Sequence, residues 1–213
     1  MRKIGIFGGS FDPVHFGHLR PALEILEALS LDHMCFIPSG LPPHRGAPLA
    51  SAAQRLAMLK AAVASEPRFQ VDERELKRDA PSYSFDTLAE LRREHAQDRL
   101  VLALGLDAFL GFTTWHRWKE LLELTHLVIA HRPGSSLEDQ MDHGEIAMLV
   151  RERGVDDAEA LMAEATGRLM FLPVTQLEIS SSQVRETAAR GGDVRYLVPE
   201  PVRTLIQDSH CYG

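Results

Sequence analysis

Cysteine is scarce in this sequence: Cys35 and Cys211 are the two in 213 residues. Two thiols so far apart make no disulfide framework, and neither sits in a Cys-x-x-Cys metal spacing. Cys35 lies in an apolar strand and is read as a buried thiol. Cys211, in the last residues, is read as exposed. Both suit a reducing, cytoplasmic compartment. Long apolar runs are missing too. No stretch approaches the roughly 20 residues that a membrane helix needs. The chain enters its first strand at once, so no signal peptide is expected. Nor is basic charge in excess: 23 Lys and Arg stand against 30 Asp and Glu, a net charge of −7. That balance argues against a wide nucleic-acid surface. It leaves room for a small anionic ligand held by a few local cations. Internal repeats and low-complexity tracts are absent. At 45% hydrophobic and 25% charged residues, what remains is an ordinary globular composition with the length of one large domain.

What is present is alternation of strand and helix patterns. Residues 3–8 form an almost purely apolar run, as a strand buried on both faces requires. Residues 18–29 follow as a helix, with Pro21 in the first turn, where a missing N–H costs least. A second strand covers 33–37. Residues 38–48 carry four prolines and two glycines, which forbid a helix or an inner strand. Ser51 opens the next helix with Gln54 three residues on, a capping box. Further strands are expected at 69–72, 100–105, 126–130 and 169–174. Ser84 is expected to cap a helix to about residue 95. Residues 137–167 are acidic, show no strand pattern and read as a peripheral, mostly helical insertion. Ser180, Ser181 and Ser182 cap a helix to about 190, and Pro199 and Pro201 open another, so 180–213 reads as a small C-terminal helical part. The whole, 1–213, is expected to be a single α/β domain: a Rossmann-like doubly wound parallel sheet. Such sheets bind ligands at the carboxyl ends of their strands. The glycine turn after the first strand and Asp107 after the fourth are therefore the expected floor of the crevice.

The turn reads Gly8-Gly9-Ser10-Phe11-Asp12-Pro13-Val14-His15-Phe16-Gly17-His18. It is neither Gly-x-Gly-x-x-Gly nor Gly-x-x-x-x-Gly-Lys-Ser/Thr, which weakens a dehydrogenase or P-loop reading. A strand that feeds a helix through glycines still aims backbone N–H groups at an anion. Two imidazoles add donors. As a metal site the histidines are poor, without a cysteine or a paired acid beside them. A second stretch, Ile179-Ser180-Ser181-Ser182-Gln183-Val184-Arg185, offers hydroxyls and a helix N-terminus to phosphate, with Arg185 one turn in. Each stretch alone has a plainer reading, as histidine or serine helix caps and a solvated arginine.

Together the two stretches resemble the nucleotidyltransferase signatures Gly-x-Phe-Asp-Pro-x-His-x-Gly-His and Ile-Ser-Ser-Thr-x-Ile-Arg, with Ser182 for Thr and Val184 for Ile. Three more stretches are similar to those of the bacterial nicotinate mononucleotide adenylyltransferases. They are Pro42-Pro43-His44-Arg45; Pro81-Ser82-Tyr83-Ser84 with Thr87-Leu88; and Gly105-Leu106-Asp107 with Trp115-His116-Arg117-Trp118. The resemblance covers nearly the whole chain and is weakest over 137–167. It implies the nucleotidyltransferase α/β-phosphodiesterase fold. It also implies transfer of the adenylyl group of ATP to nicotinate mononucleotide, giving nicotinate adenine dinucleotide and pyrophosphate. His15, His18 and Arg185 would be catalytic. ATP would lie on Gly8, Gly9, Ser10, Phe11, His18, Gly105, Asp107, Ile179, Ser180, Ser181 and Arg185. The mononucleotide would meet Ser10, His44, Arg45, Ser82, Tyr83, Ser84 and Trp115. Mg²⁺ would come with ATP, since it keeps its waters and needs few protein ligands, and no resident metal site is expected. Partners are small molecules rather than nucleic acid or membrane, and a homo-oligomer is left open. Two alternatives stand: another phosphorylated acceptor, such as nicotinamide mononucleotide or phosphopantetheine, or a non-catalytic nucleotide sensor. Trp118 is read as core. His95, His116, His126, His131, His143, His210 and the run Arg92-Arg93-Glu94 are read as structural or solvated.

Overall fold

The computed structural model describes residues 1–40, 48–134 and 144–213. The apolar runs become the strands β1 (Lys3–Gly9), β2 (His33–Pro38), β3 (Phe69–Val71), β4 (Arg99–Gly105), β5 (His126–His131), β6 (Gly154–Val155) and β7 (Leu169–Pro173). They form one sheet in the order β3-β2-β1-β4-β5-β7-β6. The pairs β1/β4, β4/β5, β5/β7 and β6/β7 are parallel. The order reverses between β1 and β4, the kind of position where open α/β sheets bind ligands. The α/β fold with a parallel sheet is therefore as the sequence implied. β6 lies in the segment expected to hold no strand. With two residues on the sheet edge it is too short to carry a periodic signal.

The helices are α1 (Phe16–Ala28), α2 (Ala52–Val63), α3 (Ser84–Glu94), α4 (Leu106–Leu110), α5 (Trp118–Leu124), α6 (Gly144–Arg153), α7 (Ala158–Ala163), α8 (Ser181–Ala189) and α9 (Glu200–Ser209). The capping box of α2 is present: the Ser51 side chain accepts from the Gln54 N–H, and the Gln54 side chain accepts from the Ser51 N–H. Ser84 does not cap α3. It is already the first helical residue, Tyr83 holds the cap position, and no side chain bonds there. Serine suits the first helical turn as well as the cap, so the pattern does not fix the start to one residue.

The chain divides into two compact units. The first comprises Met1–Phe7, Leu23–Met34 and Tyr83–Thr175. Its core is the row Ile4, Leu100, Val101, Leu127, Val128, Ile129 and Leu169, each at most 1% exposed. Arg92 is a staple rather than part of a solvated run. Its guanidinium donates to the carbonyls of Leu124, His95 and Asp98 at 2.6–3.1 Å. The second unit comprises Gly8–Ala22, Cys35–Ser82 and Gln176–Gly213. Here α9 packs against α2, and Val184, Val194, Val198 and Val202 are buried. Cys35 is buried as expected. Cys211 is only half-exposed, because the neighbouring Tyr212 is buried and anchors the tail.

Candidate active site

Both signature stretches fall in the second unit. Leaving β1, the chain makes a turn in which Phe11 takes φ +46° and the Asp12–Pro13 peptide is cis. A buried aromatic in the left-handed region is uncommon and is held there by packing. The Phe11 ring meets His18 edge-on at 5.2 Å between centroids and Phe36 at 6.0 Å. A Cβ on Gly9 would stand 3.1 Å from that ring. Gly9 is therefore small because Phe11 fills its space. Gly8 is different: a Cβ there would have nothing within 4 Å among the described residues. Phe11, expected among the ATP contacts, is 0% exposed. It shapes the turn from within and offers no surface to a ligand.

The two imidazoles lie face against face, with centroids 3.8 Å apart and ring planes 34° from parallel. The His15 N–H points at His18 Nδ1 at 3.3 Å. That contact makes Nδ1 an acceptor, so the neutral His18 ring carries its proton on Nε2. His15 is 4% exposed, and its Nδ1 finds no partner among the described residues. Burial lowers the His15 pKa to about 4. Burial, then the neighbouring His15, lowers that of His18 to about 3. Both rings are therefore neutral near pH 7 in the free protein. Gly17 lies between the two signature stretches. A Cβ on it would fall 2.9 Å from the His15 ring and 2.9 Å from the Ile179 carbonyl oxygen. Only glycine lets these two backbones approach so closely.

Other bonds join the same stretches. Ser181 Oγ donates to the Pro13 carbonyl at 3.0 Å, and Arg185 Nη1 donates to the Asp12 carbonyl at 2.7 Å. Arg185 Nη2 donates to Ser182 Oγ at 3.0 Å. Ser180 caps α8, its hydroxyl accepting from the Gln183 N–H at 3.1 Å. The hydroxyls of Ser180 and Ser181 are thus already engaged in holding the helix start. What α8 adds for an anion is its first N–H groups, which have no intrahelical acceptor. Arg55 was missed by the sequence reading. It is 2% exposed, and its guanidinium donates to the carbonyls of Ser10 at 2.7 Å and Ser39 at 2.9 Å. A signal for it existed: Arg55 shares the helical stripe of Met58, Leu59 and Ala62, all buried. Ser82 is also in this unit and is buried, its hydroxyl without a partner among the described residues. His44 and Arg45 lie outside the described residues.

The other candidates belong to the first unit. Asp107 is exposed in the first turn of α4 and is not its cap, which is Gly105 with no side-chain bond. A Cβ on Gly105 would meet nothing within 4 Å among the described residues. Tyr83 stacks on His116 with centroids 4.5 Å apart, which gives His116 a partner the sequence did not suggest. Trp115 and Trp118 are both half-buried and flank Phe112, at 5.4 and 5.9 Å. Neither is a fully buried anchor, as had been expected of Trp118. Ser84 begins α3, whose first N–H groups are likewise unpaired within the helix.

A glycine turn with paired imidazoles, bonded to a serine-capped helix, is the arrangement expected of a nucleotidyltransferase. Comparison agrees: residues 6–187 match the cytidylyltransferase-like family, and the chain belongs to it. It is 48% identical over 99% of its length to a Pseudomonas syringae protein named "Probable nicotinate-nucleotide adenylyltransferase", of which it covers 94%. A Halorhodospira halophila protein of the same name is 43% identical, with 100% of this chain and 96% of that one aligned. At the level of fold alone, the chain is similar to Plasmodium falciparum nicotinic acid mononucleotide adenylyltransferase complexed with NaAD. That likeness has TM-score 0.74 and 15% identity, and covers 100% of this chain and 98% of that one. Within its family the chain therefore belongs with the nicotinate-nucleotide adenylyltransferases.

Proposed function

We propose that the chain transfers the adenylyl group of ATP to nicotinate mononucleotide, releasing pyrophosphate and forming nicotinate adenine dinucleotide, a step of NAD biosynthesis. The observation that carries the reading is the bonding of the two signature stretches to each other. Ser181 rests on Pro13, Arg185 on Asp12, and Ile179 against Gly17. Residues 168 and 173 apart in sequence are held together at one turn, as in-line phosphoryl chemistry requires of its donors.

The nucleophile is a phosphate oxygen of the mononucleotide, already ionised near neutral pH. No general base is needed. The protein's task is alignment and stabilisation of charge on the α-phosphate and the leaving pyrophosphate. In this reading His18 donates from Nε2 to the transferring phosphate, and His15 supports it. The backbone of Gly8, Gly9 and Ser10 approaches the nucleotide. Arg185 and the first N–H groups of α8, next to Ile179, Ser180 and Ser181, hold the outer phosphates. The neutral rings suit this task, because an arriving polyanion favours their protonated form and draws charge to the place where it is needed. Asp107 and the Gly105 backbone take the adenylate ribose. Trp115 and Tyr83 take the pyridine ring, with N–H groups near Ser82 and Ser84 for its carboxylate. An amide in that place would turn its own NH₂ toward donors, which sets the preference for the acid. His44 and Arg45 are assigned to the phosphates. Mg²⁺ enters as part of the ATP substrate, held by phosphates and water. Among the described residues no group of three or more His, Cys, Asp or Glu is placed to hold a metal. No described helix is long and apolar enough to cross a membrane. The assignment of the enzyme to the cytoplasm rests on its two free thiols, Cys35 and Cys211.

His18→Ala tests the site. It is expected to leave the fold intact and to lower kcat at least a hundredfold, the usual scale for a donor to transition-state charge. Turnover within about threefold of wild type, a loss well under 1.4 kcal/mol, would show the role to be wrong.

A further inference from the structure

Asp12 is a buried carboxylate inside the signature turn, its side chain 6% exposed. One of its partners comes from the far end of the chain. Tyr212, second from last, is itself buried, and its hydroxyl donates to Asp12 Oδ1 at 2.8 Å. Burial and the adjoining carboxylate push the phenol's pKa well up, so it stays a donor at any working pH. The Ala50 N–H donates to the same oxygen at 3.1 Å, and the Leu49 N–H to Oδ2 at 2.8 Å. A carboxylate withdrawn from water needs such donors, and losing one leaves it to recruit another.

Among the described residues, the cation nearest to answer is Arg185. Its Nη1 stands 3.9 Å from Asp12 Oδ2 while bonding the Asp12 carbonyl at 2.7 Å. Arg55, a second guanidinium that bonds the turn, is committed to the carbonyls of Ser10 and Ser39. We propose that Tyr212 is a positioning residue for Arg185: by completing the hydrogen bonds of Asp12, it keeps that carboxylate from drawing the guanidinium inward. Arg185 then stays on the main chain of the turn, with charge to spare for a phosphate. The C-terminal segment in this way becomes part of the phosphate site without touching substrate. The inference rests on the reading of Arg185 as a phosphate ligand.

The test is a double-mutant cycle of Tyr212→Phe and Arg185→Ala, with pyrophosphate release measured well below the melting temperature of each variant. Tyr212→Phe is expected to lower kcat/KM for ATP at least fivefold, mainly through KM for ATP. In the Arg185→Ala background it should change kcat/KM by less than twofold. An equal loss in both backgrounds, or a lowered melting temperature with unchanged kinetics, would make Tyr212 merely structural and overturn the proposal. Arg185→Ala within threefold of wild type would instead refute the phosphate role of Arg185 on which the inference stands. If the phenol proves necessary for folding, Leu49→Pro removes the N–H on Oδ2 at an exposed position and is read by the same criteria.

Discussion

His15 and His126 are buried rings that titrate far from their ordinary range, and their effect is one of sign. Burial lowers both pKa values to about 4, from 6.5. Above pH 6.5 both folded and unfolded chains carry neutral rings, and neither residue penalises folding. Between about 6.5 and 4 the unfolded chain takes up protons that the folded chain refuses, so stability falls with falling pH. At about pH 4 the loss reaches about 3 kcal/mol for each ring. Chemical denaturation of the free protein from pH 7.5 to 4.5 should therefore show a decline that is shallower in His126→Gln, at the same ionic strength. A slope unchanged by the substitution would contradict the burial argument. At this scale the sequence was legible where a residue type announces chemistry, as with His15, His18 and Arg185. It was silent on Tyr212, because a lone tyrosine in a polar tail carries no pattern. Asp12 does carry a signal. A carboxylate between Phe11 and Pro13 in an apolar stretch has to be bonded if it is buried.

Among elements, α2 was the most fully readable, because its capping box is a local device fixed by residues three apart. Ser51→Ala removes the acceptor of the Gln54 N–H. Loss of such a cap costs about 1 kcal/mol. For a chain of this size that is a fall of about 2–4 °C in melting temperature. An unchanged melting temperature would mean that solvent replaces the cap without cost. β4 and β5 were equally legible. They are buried on both faces and so appear as unbroken apolar runs. α1 starts at Phe16 rather than near His18, because the His15 carbonyl already accepts from the N–H groups of His18 and Leu19. Helix start and signature turn therefore overlap, and propensity does not separate them. β6 was invisible for its brevity.

For the whole molecule, alternation of strands and helices was sufficient to imply a parallel α/β sheet, but not its order. That β7 lies between β5 and β6 follows from how the chain returns after residue 155, which no local pattern encodes. The meeting of the two signature stretches was legible only through resemblance, since spacing alone says nothing about a contact so distant in sequence. The structure supplies its physical basis in Gly17, Ser181 and Arg185. Substrate choice is the point on which the account as a whole depends. Pyrophosphate release should be measured with ATP and either nicotinate mononucleotide or its amide, at matched Mg²⁺ and pH. We expect kcat/KM for the acid to exceed that for the amide at least tenfold, a difference of about 1.4 kcal/mol in transition-state binding. Equal efficiency for the two, or no pyrophosphate release with the acid, would contradict the account.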